Sequence, residues 1–174
     1  GVDKELRAKF LLPFLHEHIA MDFINSSFAV DEARALKDEY EIELMIQSSK
    51  INDLAMEQFK ALIHPGVSEE EVASKCLGIY KSLGAEAYSF DPIVAFGINS
   101  ADPHHEPDGT VLKEGDTVLF DVGCKYKNYC SDMTRTFFYK KELTSEEKKV
   151  YNLVKDANEK SEEICKTGVV FADI

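Results

Sequence analysis

The chain has 174 residues, 44% hydrophobic and 30% charged, enough apolar material for one domain with a sizeable core and far from the composition of disorder. Its 32 Asp and Glu against 20 Lys and Arg give a net charge of −12, which repels phosphate backbones and sets nucleic-acid partners aside. No apolar run approaches the roughly 20 residues that cross a bilayer, so no membrane partner is expected. Gly1-Val2-Asp3-Lys4 carries neither an initiator Met nor a signal-peptide pattern, and the chain is read as part of a longer cytoplasmic protein. Cys76, Cys124, Cys130 and Cys165 lack zinc-type spacing and are expected to be reduced packing residues.

From the N-terminus, Phe10, Leu11, Phe14 and Leu15 predict a helix between Leu6 and His18, and Met21 to Ile24 alternates like a short strand. One helix and one strand cannot bury a core alone. A long helix is expected from Asp38, with Leu44, Ile51, Ala55, Phe59 and Leu62 on one stripe, stopped by Pro65-Gly66. Ser68 and Glu71 then read as a capping box, opening a helix lined by Val72, Cys76, Ile79 and Leu83 up to Gly84. A β-rich stretch follows: a strand over Ile93–Phe96, a polar loop over Asn99–Gly109, a strand over Thr117–Val122, and a long return strand from Tyr129 to Tyr139. Thr144 and Glu147 cap a last helix with Val150, Leu153, Ala157 and Ile164 on its stripe.

Gly66-Val67 leading into Glu71-Val72 recurs as Gly168-Val169 leading into Asp173-Ile174, each after a long helix. This suggests an internal duplication whose second copy is mostly missing. Period-two alternation puts Val118, Phe120 and Val122 on one face of their strand and Leu119, Asp121 and Gly123 on the other. Cys130, Asp132, Thr134 and Thr136 share a face of the return strand. A turn centred on Tyr126-Lys127 would set Asp121 directly opposite Asp132, with Cβ atoms about 5 Å apart. Two carboxylates so placed repel, and divalent cations would turn the conflict into a site. The pair also reads as two hydrated surface aspartates, and the spacing does not choose between the two readings. His104 and His105, adjacent in a loop, point apart, so at most one faces a site.

Phe90-Asp91-Pro92-Ile93-Val94-Ala95, Asn99-Ser100-Ala101-Asp102-Pro103-His104, Phe120-Asp121-Val122-Gly123 and Tyr129-Cys130-Ser131-Asp132-Met133-Thr134-Arg135-Thr136 together resemble the pita-bread metallopeptidases. The resemblance is to the Xaa-Pro dipeptidase (prolidase) and Xaa-Pro aminopeptidase branch. It implies an α+β fold, the first half of a duplicated pita-bread domain, with an antiparallel sheet and helices on one face. Residues 30–174 would form that half, and residues 1–29 the end of a preceding N-terminal domain.

The same resemblance implies that Asp121 and Asp132 ligate two divalent ions (manganese, cobalt or zinc), with Asp132 bridging them. His104 would contact the substrate and support the tetrahedral intermediate, and Phe90 would line the pocket. The substrate would be a peptide or dipeptide with proline second, and the complete protein a homodimer. The family's remaining His and two Glu ligands have no counterpart here, because all five histidines precede Asp132; the chain alone is expected to be inactive. Methionine aminopeptidases usually place Gly after the loop His, whereas His104 is followed by His105. A non-catalytic pita-bread binding module is the alternative from another class.

Overall fold

The computed structural model describes residues 1–17 and 22–174, and the chain divides into two units, Gly1–Gln47 and Ser48–Ile174. The first unit carries α1 (Ala8–Glu17), α2 (Ser27–Ala35) and the start of α3 (Glu39–Ala61). The expected first helix is α1; His18 lies outside the described residues. Met21 lies outside them too, and residues 22–24 form no strand, the backbone making only a parallel bridge from Val2 to Asn25. Ser27 Oγ donates to Asp3 and accepts from the Lys4 amide, which ties the start of α2 to the N-terminal segment. Asp38 and Glu41 exchange amide-to-carboxylate bonds of 2.7 and 2.8 Å, a reciprocal cap that starts α3.

In the second unit, α3 continues to Ala61, short of Pro65-Gly66, where Gly66 takes φ 85°. Next comes α4 (Glu69–Ser82), capped by Ser68 Oγ accepting from Glu71 N. Only this half of the expected capping box forms, because the Glu71 carboxylate pairs with Lys75 at 2.7 Å instead. Gly84, at φ 97°, ends the helix in the left-handed region.

The strands are β1 (Ala87–Tyr88), β2 (Ile93–Phe96), β3 (Thr117–Val122), β4 (Cys124–Tyr126), β5 (Tyr129–Cys130) and β6 (Met133–Phe138). They form two antiparallel sheets, in the orders β1-β4-β5 and β2-β3-β6. The long return strand expected from Tyr129 to Tyr139 is therefore split. It breaks at Ser131-Asp132, where the hairpin passes from one sheet to the other.

Alternation along β3 is complete: Val118, Phe120 and Val122 are buried, and Thr117, Leu119 and Asp121 are half-buried on the opposite face. The buried face packs on Ile51, Ala55, Met56 and Phe59 of α3 and on Val72, Cys76 and Tyr80 of α4. Phe59 meets Tyr80 edge-on at 5.2 Å and stacks on Phe120 at 6.0 Å. Burying each Phe contributes about 2–3 kcal/mol. The helices thus cover one face of the central sheet and leave the Asp121 face open.

The last helix, α5 (Ser145–Ile164), starts with the full Thr144–Glu147 capping box. Its expected core stripe is not buried: Val150, Leu153 and Ile164 are exposed. Val150, Tyr151 and Val154 instead border a groove shared with Leu119 and Phe138 of the open sheet face. Cys76 and Cys124 are buried as expected, whereas Cys130 and Cys165 are exposed; all four are free thiols. Burial pushes the Cys76 thiol up to about 12, so it is an inert packing group. Among the described residues no helix is long and apolar enough to cross a membrane.

Candidate metal centre

The site begins at the hairpin turn. Lys127 and Asn128 take φ 46° and 72°, so the two-residue loop lies between Tyr126 and Tyr129. That places the turn one residue later than the sequence spacing suggested, and the register moves by two. Asp121 therefore pairs with Thr134, and Asp132 is its diagonal neighbour, not its direct partner. A shift of two preserves the face, so both carboxylates still project to the same side.

Thr134 Oγ1 donates to Asp121 Oδ1 at 2.8 Å. Desolvation holds the Asp132 carboxyl above the usual carboxylate range, and the neighbouring Asp121 charge and a hydrogen bond between the two carboxyls push it the same way. This is the conflict of two like charges sharing one site. Asp132 also borders the open groove, with Thr134, Thr136 and Glu159. The donor set is hard oxygen, adjacent and facing solvent, which fits divalent cations.

Between the two aspartates the backbone bends at Gly123. A Cβ there would lie 2.1 Å from both Ser131 O and Ser89 Oγ and 3.0 Å from the Phe90 ring. Glycine is therefore required by close approach, and Phe90, half-buried, packs beside the bend. From behind, α3 holds the same segment: Asn52 Nδ2 donates to Val122 O at 3.1 Å and Ser48 Oγ to Cys124 O at 3.2 Å. Tyr80 OH completes this set by donating to Asn52 Oδ1 at 2.6 Å. Asn52 and Ser48 are fully buried polar residues whose partners lie far along the chain, and periodicity reads them only as helix positions.

The histidines separate as their adjacency requires. His105 turns inward and its Nε2 lies 2.6 Å from Oε2 of the fully buried Glu69. His104 is exposed, its amide held by Asp102 Oδ1 at 2.9 Å, and it is not among the residues bordering the groove. The structure thus brings Asp121, Asp132 and Phe90 to one bend and leaves His104 on the loop above α4. Sequence reasoning missed Glu69, one of three consecutive glutamates in the first turn of α4. Glu69, His105 and Asp108 offer ligand atoms within 4.8 Å of one another. Both Glu69 oxygens, however, already accept two N–H donors each, so hydrogen bonding alone accounts for this group.

Residues 43–174 match the family model described as metallopeptidase family M24. A Bacillus subtilis protein named as a dipeptidase is 36% identical over 152 residues, covering 87% of the chain and 42% of the relative. The crystal structure of the prolidase from Pyrococcus horikoshii superposes with a TM-score of 0.87 at 31% identity, covering 92% of this chain and 46% of that one. The Xaa-Pro dipeptidase from Bacillus anthracis gives 0.81 at 36% identity, with 89% and 43% covered. The chain therefore spans less than half the length of these relatives.

Proposed function

The chain belongs to metallopeptidase family M24 and has that family's pita-bread-like fold, and from this premise we propose that it is the part of an Xaa-Pro dipeptidase or aminopeptidase that supplies two of the metal-binding carboxylates. The observation that carries the proposal is the Asp121–Asp132 pair, two repelling carboxyls held on one open sheet face. The proline specificity is drawn from the prolidase and Xaa-Pro dipeptidase neighbours.

Asp121 and Asp132 would hold the ions. When bound, a divalent pair supplies an activated water and polarises the scissile carbonyl. The rest falls to the chain. Thr134 fixes the Asp121 carboxylate from the opposite strand. Gly123 lets the two strands approach, and Phe90 would form an apolar wall beside the site. His104 would donate a hydrogen bond to the carbonyl oxygen as charge develops there.

In this reading residues 1–29 end a preceding domain, residues 30–174 form half of the catalytic domain, and the other ligands come from elsewhere in a longer protein. The chain alone is then inactive. Hard donors favour manganese, free thiols fit a reducing cytoplasm, and a homodimer is expected of the complete protein.

The test is hydrolysis of an Xaa-Pro dipeptide by the full-length protein, before and after chelation and after manganese is restored. Activity lost to chelator and recovered with metal supports the proposal. Metal-independent turnover would overturn the metal assignment, and no turnover under any metal would favour the non-catalytic binding module.

A further inference from the structure

Glu69 is fully buried, yet it faces a loop segment, residues 97–110, in which no residue is buried and Asp102, His104, Glu106 and Asp108 are exposed. Its Oε1 accepts from Phe96 N at 2.6 Å and from Asn99 Nδ2 at 3.0 Å. Its Oε2 accepts from Asp108 N at 3.2 Å and from His105 Nε2 at 2.6 Å. With its hydrogen on Nε2, His105 is the donor of this last bond. The same helical turn reaches the far end of the segment through its backbone: Glu69 N donates to Thr110 O at 3.1 Å and Glu70 N to Asp108 O at 3.0 Å. These are donors that a helix start leaves without intrahelical partners. Asn99 Nδ2 closes the base of the loop by reaching Thr110 Oγ1 at 3.2 Å.

Both ends of the segment are therefore fastened to one turn of α4, and its middle is fastened through His105. With His105 drawn inward, the backbone has little choice about where the next side chain, His104, emerges.

We propose that Glu69, acting through His105, is the positioning residue for the segment that presents His104. The inference rests on the peptidase reading above only for what His104 does. Four N–H donors converging on one buried carboxylate form a set in which each loss is felt. Removing a donor leaves part of a buried charge unsatisfied, which costs more than the bond itself contributes. The tether should thus open locally and not with the whole domain.

The experiment compares His105→Phe, His105→Gln and Glu69→Gln in the full-length protein. Hydrogen–deuterium exchange is followed in peptides covering residues 97–110, β3 and β6, with kcat, KM and metal content measured on the same samples. His105→Phe should speed exchange across residues 97–110 by about ten-fold or more while β3 and β6 keep their rates. Turnover should fall in kcat more than in KM, at unchanged metal content. His105→Gln, which can still donate, should recover most of the protection. Unchanged exchange in the loop, acceleration shared equally by β3 and β6, or equal loss in both His105 variants would each overturn the proposal. If Glu69→Gln does not fold, the two His105 variants decide. If the unmutated protein cleaves no Xaa-Pro peptide under any metal, the peptidase reading falls and the exchange measurement still judges the tether.

Discussion

Thr134 lies directly across the ladder from Asp121 and donates a 2.8 Å hydrogen bond to its carboxylate. The bond occupies Oδ1 and fixes the side-chain torsion on the side of the sheet shared with Asp132. A ligand oriented by a neighbour typically loses 10–100-fold in metal affinity when that neighbour is removed. Thr134→Val, which keeps the branched shape and deletes the hydroxyl, should weaken manganese binding by about that factor. Isothermal titration of the metal-stripped full-length protein reads it directly. An unchanged dissociation constant would reduce Thr134 to a strand residue.

Each aspartate is expected to matter separately. Asp121→Asn and Asp132→Asn keep the side-chain volume and remove a negative charge, so each should abolish metal-dependent hydrolysis in the full-length protein. Because the Asp132 carboxyl is strained by its neighbour, neither change should impair folding in chelator. Wild-type turnover by either variant in metal-controlled buffer would remove that residue from the site.

Gly123 carries a steric prediction. Its added Cβ would meet the Ser131 carbonyl and the Ser89 hydroxyl, and the carbonyl is backbone that cannot turn aside. Gly123→Ala should therefore destabilise the protein by about 1–3 kcal/mol as overpacking and push the Asp132 strand away from Asp121. Denaturant midpoints measure the first effect and metal affinity the second. A variant of native stability and native affinity would show that the bend relaxes freely.

How legible was all this in the sequence? The buried face of β3 was, because a sheet covered on one side forces period-two alternation from Thr117 to Val122. Helix limits were too, since Asp38, Ser68, Thr144 and Gly84 signal through local chemistry. The hairpin register was not. It depends on Lys127 and Asn128 both adopting positive φ, and Lys gives no turn signal. Glu69 was invisible for a different reason: its burial is set by residues 27 to 39 positions away in the chain. The stripe of α5 read as core, yet Val150, Leu153 and Ile164 are exposed, and of the stripe only Val150 borders the open groove.

His104 is where two accounts of this loop part most clearly. As a plain exposed residue it is held only by its backbone, so His104→Ala should shift stability by at most about 1 kcal/mol and leave turnover alone. As a donor to the substrate carbonyl it acts on charge that exists only near the transition state, and removing such a donor typically lowers kcat about 10²–10³-fold. Metal content should stay normal, because the imidazole is not assigned as a ligand. His105 is unsuitable as a control, since its bond to Glu69 shapes the loop. The exposed His64, in the turn after α3, serves instead: His64→Ala should match wild type. The measurement is kcat for an Xaa-Pro dipeptide with metal determined on the same full-length sample. A fall of the expected size at full metal content places His104 on the substrate. Unchanged kcat would return it to the surface, and a fall accompanied by metal loss would make it a ligand.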